Sequence, residues 1–119
     1  LQGLSMPLLR LQTNLPLGAD ALRDLPRLAS RRVAALLGKP ERYVMVSLEH
    51  NPAMLFAGTD APLAYLELKS IGLPASRTGE LSKDLCELVG QQLGIAQDRI
   101  YIEFANASGN LWGWDGGTF

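Results

Sequence analysis

The chain has 119 residues, 47% of them hydrophobic and only 19% charged, which is enough for one domain with a small core. A net charge of −1 gives no basic footprint and argues against nucleic acid as the main partner. The single cysteine, Cys86, excludes a disulfide framework and a cysteine metal cluster, and no apolar run approaches the ~20 residues of a membrane helix. A charged fraction below the ~25% of an average soluble protein hints that some surface is covered in an oligomer.

Leu1 to Ser5 is short, uncharged and patterned unlike the rest. Residues 1–6 are expected to be a vector-derived leader ending in an initiator methionine, Met6, and residues 7–119 a single domain. If the leader were native, Pro7 would be an ordinary strand-start proline. If Met6 is trimmed, Pro7 becomes N-terminal and its nitrogen a free secondary amine. Inside a chain the same nitrogen is a tertiary amide without basicity. The expected location is cytoplasmic, with secretion lacking a signal peptide as the alternative.

Residues 7–13 alternate as a strand, with Pro7, Leu9 and Leu11 on one face and Leu8, Arg10 and Gln12 on the other. Thr13 to Gly18 is turn chemistry. Leu22, Leu25, Ala29, Val33 and Leu36 form a helical stripe. Pro26 interrupts it, so the helix is expected to begin with Asp24 as N-cap rather than to kink. Gly38 ends that helix. Strands are expected at Tyr43–Leu48, at the short run Met54–Ala57, and at Leu63–Ser70. A second helix is expected from about Ser76 to Leu93, closed by Gly94, and a last strand over Ile100–Phe104. The tail from Asn106 carries Trp112, Trp114 and Phe119, which argue that it is ordered against the domain.

Leu37-Gly38, Arg42 and the strand after it are echoed by Leu93-Gly94, Arg99 and the strand after that. Two βαβ units therefore give an α+β fold, a four-stranded mixed sheet with both helices on one face. The uncovered face is expected to be apolar and to demand a partner. His50 reads as a surface histidine beside the Asn51-Pro52 turn, and Cys86 as a buried small hydrophobe.

The chain resembles the macrophage migration inhibitory factor and D-dopachrome tautomerase family of the tautomerase superfamily. The resemblance rests on Pro7, Thr13-Asn14-Leu15-Pro16, Leu37-Gly38-Lys39-Pro40 with Tyr43, and Ser70-Ile71-Gly72. It continues in Asp98-Arg99-Ile100-Tyr101-Ile102, Gly113-Trp114 and Thr118-Phe119. It implies a homotrimer with sites between protomers and cofactor-independent keto–enol tautomerisation of small α-keto acids such as phenylpyruvate, or of dopachrome-like quinones. It implies Pro7 as general base and Lys39 as the second catalytic group, with Ser70 and Ile71 at the substrate's carboxylate end. Tyr101 would come from a neighbour, and Leu8, Tyr43, Trp112, Trp114 and Phe119 would form apolar walls. The implied alternative is a cytokine-like or binding protein with vestigial activity, although receptor binding has no support in the sequence. Leu63 and Leu66 stand where some members carry a Cys-x-x-Cys pair, which argues against a thiol–disulfide role. Lys69, Glu103 and Trp112 depart from the family pattern near the substrate and point to altered specificity.

The chemistry is consistent with those residues. Enol–keto exchange needs a base with a pKa near the working pH. A free α-amine sits at about 7.7–8.0, and burial or a nearby cation lowers it.

Overall fold

The computed structural model describes residues 6–119, so the expected leader lies outside the described residues apart from Met6. Strand β1 (Leu8–Thr13) is followed by helix α1 (Ala19–Leu37) and strand β2 (Met45–His50). The second unit repeats this order with β3 (Ala64–Ile71), α2 (Thr78–Leu93) and β4 (Ile100–Ala107). The sheet order is β2-β1-β3-β4. Strands are parallel within each unit and antiparallel where β1 meets β3. This is the expected α+β fold with a four-stranded mixed sheet.

The period-2 pattern of the central strands decides what is buried. Leu9 and Leu11 of β1 pack beside Leu66 and Leu68 of β3, all essentially sealed from solvent. Leu25, Ala29 and Val33 of α1 and Leu81, Leu85, Leu88 and Val89 of α2 complete the same core. Cys86 joins it as a small hydrophobe, and burial pushes its thiol pKa up.

Four expectations need correction. Helix α1 starts at Ala19, not after Asp24, and Pro26 lies inside it. An interior proline costs about 3 kcal/mol. Here Leu25 is buried and Arg23 bridges Asp20 and Asp24, so packing and pairing hold the first turns despite the missing N–H. Leu22, expected on the core stripe, is 53% exposed. Met54–Ala57 is no sheet strand. Phe56 and Thr59 exchange both backbone bonds across Ala57-Gly58, at φ 52° and 76°. Those positive angles make a tight primed turn.

The open face, expected to be apolar, is polar. Leu9 and Leu11 face the helices, and the other side carries Arg10, Gln12, Glu49, Tyr65, Glu67, Lys69 and Glu103. Arg10 pairs with Glu49 and reaches Glu67, which also meets Lys69. The face is therefore a polar lattice with apolar residues at its margins, and apolar burial across it gives no argument for an oligomer.

The loop between β2 and β3 is tied down from two sides. From β1, the Thr13 hydroxyl donates to the Leu63 carbonyl, Asn14 Nδ2 donates to the Asp60 carbonyl, and Leu63 N–H donates to Asn14 Oδ1. From the start of β4, Arg99 donates to four backbone carbonyls of the loop. The tail folds as a hairpin of β5 (Gly113–Trp114) and β6 (Gly117–Thr118) around Asp115-Gly116. Asp115 and Gly116 have φ 52° and 77°, the angles that Asp-Gly hairpins favour.

Candidate active site

The cleft beside Pro7 is built at the β2 edge of the sheet. Leu8 stands between Met45 of β2 and Lys69 of β3 in the cross-strand register, so all three side chains share the open face. Pro7 precedes β1 and is fully buried, and its carbonyl accepts from Met45 N–H at 2.9 Å. The tail hairpin closes over this corner. The Trp114 ring meets Tyr43 edge-on at 5.6 Å and stacks on Phe119 at 5.7 Å. The result is a cleft of about 370 Å³ lined by Met6, Pro7, Leu8, Tyr43, Met45, Lys69, Trp112, Gly113 and Trp114.

Of the residues expected at the site, Pro7, Leu8, Tyr43, Lys69, Trp112 and Trp114 line this cleft together, and Phe119 supports it through Trp114. Lys69 is the cation on its wall. Its Nζ lies 3.5 Å from Glu67, so its charge is partly balanced from within β3. Lys39 sits on the turn after α1, where its N–H donates to the Ala34 carbonyl, and it is not among the lining residues. Ser70 faces the helix side of the sheet, almost sealed, with its hydroxyl donating to the Ile71 carbonyl. Ile71 ends β3, half-buried. Met45 and Gly113 line the cleft and escaped the sequence reading. Alternation along YVMVSL places Met45 on the same face as Ser47 and Glu49, which is the signal that could have found it.

Glu103 and Tyr101 lie elsewhere. Glu103 belongs to the open-face lattice, where the Tyr65 hydroxyl stands 3.2 Å from its carboxylate and 3.1 Å from that of Glu67. One phenolic proton serves two acceptors, so it can be donated to only one carboxylate at a time. Burial foremost, then these two carboxylates, push the Tyr65 phenol pKa up to about 12.

Tyr101 is 66% exposed on β4, at the other edge of the sheet. Leu8 aligns through Lys69 with Ala105, four residues along the strand from Tyr101. Strand geometry therefore separates Leu8 from Tyr101 by about 16 Å in one protomer. Tyr101 instead packs on Phe56 at 4.7 Å, beside a second, apolar cavity of about 320 Å³.

The family model for macrophage migration inhibitory factor matches residues 6–119. The chain is similar to the solved macrophage migration inhibitory factor homologue from Prochlorococcus marinus, at 48% identity and TM-score 0.88, covering 94% of this chain and 98% of that one. It is 36% identical to the macrophage migration inhibitory factor homolog of Trichinella spiralis, over 96% of this chain and all of the relative. It is 35% identical to D-dopachrome decarboxylase-B of Xenopus laevis, over 83% of this chain and 85% of that protein. With the matching fold and the proline cleft, these similarities show that the chain belongs to the macrophage migration inhibitory factor family.

Proposed function

We propose that the protein is a cofactor-independent keto–enol tautomerase whose base is the free secondary amine of an N-terminal Pro7. The observation that carries this reading is the burial of Pro7 at the floor of an aromatic-walled cleft with Lys69 on its wall. A buried amine is disfavoured in its charged form, so burial and the neighbouring cation both keep it available as a base. The amine takes the proton alpha to the carbonyl, leaving an enolate. The same proton returns to oxygen to give the enol, and the reverse path gives the ketone. Positioned general-base catalysis supplies roughly 10²–10⁴-fold. Lys69, with Lys39 as the family's second group, anchors the substrate carboxylate. Tyr43, Trp112 and Trp114 suit a flat apolar body such as that of phenylpyruvate. Similarity to a protein named D-dopachrome decarboxylase-B supports small quinone-like or enol substrates.

The functional unit is a homotrimer with sites between protomers. Tyr101 supports this reading, because it stands too far from Pro7 to serve the cleft of its own protomer. Retention of Met6 acylates Pro7 and places a side chain in the cleft, so chains that keep it are expected to lose most activity. The test is phenylpyruvate enol–keto conversion by protein beginning at Pro7, compared with Pro7→Gly. Equal rates would remove the reading.

A further inference from the structure

Arg99 lies in the Asp98-to-Ile102 segment, and the proposed chemistry does not use it. It is half-buried at the entry to β4. Its Nε donates to the Pro62 carbonyl at 3.1 Å and its Nη1 to the Phe56 carbonyl at 3.1 Å. Nη2 donates to the Thr59 and Ala61 carbonyls at 3.2 and 2.9 Å. Four of the five guanidinium N–H groups are thus spent on one loop. The guanidinium also lies over the Phe56 ring, 5.2 Å from its centre. That ring in turn packs on Tyr101 at 4.7 Å.

The loop needs such a clamp. Its turn holds Ala57 at φ 52°, a left-handed angle that is unfavourable for a residue with a Cβ. The Phe56 and Thr59 carbonyls accept from each other's N–H across the turn and take Arg99 as a second donor, and Arg99 also serves the Ala61 and Pro62 carbonyls beyond it. Only a planar, forked donor can meet four carbonyls at once, and a lysine ammonium with three donors on one atom cannot.

We infer that Arg99 is a positioning residue for the tautomerase site: by fixing the 56–62 loop it sets the Phe56 ring, and the Phe56 ring sets the orientation of Tyr101. The inference rests on the reading that Tyr101 completes the cleft of a neighbouring protomer. Arg99 touches no substrate. It acts through two rings, so its loss weakens substrate binding while leaving the Pro7 amine in place.

The test uses protein beginning at Pro7 and measures kcat and KM for phenylpyruvate conversion in Arg99→Ala, Arg99→Lys, Phe56→Leu and Tyr101→Ala, with the mass of each assembly in solution. The expected result is a KM raised about ten- to a hundredfold in Arg99→Ala, one to two tenfold steps of lost substrate binding. The rise persists in Arg99→Lys and is matched by Phe56→Leu, with kcat within about twofold and an unchanged assembly. Phe56→Leu keeps the test decisive should an Arg99 variant fail to fold, because it breaks the relay while leaving the clamp. If Tyr101→Ala raises KM and neither Phe56→Leu nor the Arg99 variants do, the relay is overturned and the proposed site stands. If Tyr101→Ala leaves KM unchanged, Tyr101 is not part of the site, and both that reading and the relay fail. A fall in kcat alone, or an assembly that dissociates, would also overturn the positioning role.

Discussion

The two βαβ units share a frame and divide the work. Each ends its helix on a left-handed glycine, Gly38 at φ 63° and Gly94 at φ 68°. Each then makes one short 3-10 turn, Glu41–Tyr43 or Gln97–Arg99, before entering its second strand. Arg42 is the second residue of its turn and Arg99 the third, so Tyr43 stands where Arg99 does, and the two arginines have different surroundings. Arg42 is exposed and lies over its neighbour Tyr43 at 4.8 Å. Arg99 gathers four carbonyls from a loop some forty residues away in sequence. The first unit, at the β2 edge, carries the proline cleft. The second, at the β4 edge, carries an apolar ledge of Phe56, Tyr101 and Leu55, the last 69% exposed. Repetition builds the sheet, and the residues that break the repeat build the site.

Paired substitutions test that division most strongly. Arg99→Ala should cost about 2 kcal/mol in urea unfolding, since hydrogen bonds contribute about 0.5–1.5 kcal/mol each and water replaces part of that. Arg42→Ala should stay within about 0.5 kcal/mol, as exposed substitutions do. Equal losses would erase the distinction between the units.

The tail that seals the first unit's cleft offers the next test. A Cβ on Gly109 would stand 2.8 Å from the Phe119 carbonyl oxygen, so one of them must move. Gly109→Ala should cost about 1–2 kcal/mol, of the order found for a strained or overpacked position. It should also shift tryptophan emission, because Phe119 stacks on Trp114. Unchanged emission would show that the tail is seated independently of Gly109.

A smaller effect is expected where the units meet on the open face. The Tyr65 phenol is raised from 10.0 to about 12, so the folded state favours its protonated form. The stability this contributes is fully present below the unfolded pKa, and is lost as pH rises through the folded one. In an alkaline titration followed by phenolate absorbance, a step near pH 12 should belong to Tyr65, and Tyr65→Phe should remove it. The smallest effect belongs to Ala57→Gly. Relief of the left-handed strain, about 1–2 kcal/mol, is offset by about 0.4–1 kcal/mol of added unfolded-state entropy, leaving a gain near 0.5 kcal/mol.

The central strands and α2 are legible because the period-2 and 3.6-residue patterns run uninterrupted in Leu8 to Thr13, Ala64 to Ile71 and Leu81 to Val89, whereas Pro26 interrupts the stripe of α1. Pro26 misled because local propensity was overridden by the burial of Leu25 and the pairing of Arg23. Met54 to Ala57 was rich in apolar residues, yet positive φ at Ala57 and Gly58 turned it into a hairpin corner. The polar open face is not legible from alternation alone, because the pattern gives two faces and not which of them the helices cover. The Asp115-Gly116 dipeptide is the sequence signal for the tail hairpin. Alternation already places Pro7 on the buried face with Leu9 and Leu11, and the family resemblance supplied its expected role as base. Cross-strand register alone brought Lys69 beside Leu8, and with it beside Pro7.

The nitrogen of Pro7 is the centre of the proposed chemistry. The most direct measurement is phenylpyruvate enol–keto conversion by two proteins that differ only in whether Met6 precedes Pro7, with the N-terminus of each verified by mass. Conversion by the protein beginning at Pro7, and a loss of at least about a hundredfold when Met6 is retained, is the predicted result. Equal conversion by the two would show that the Pro7 amine is not the base.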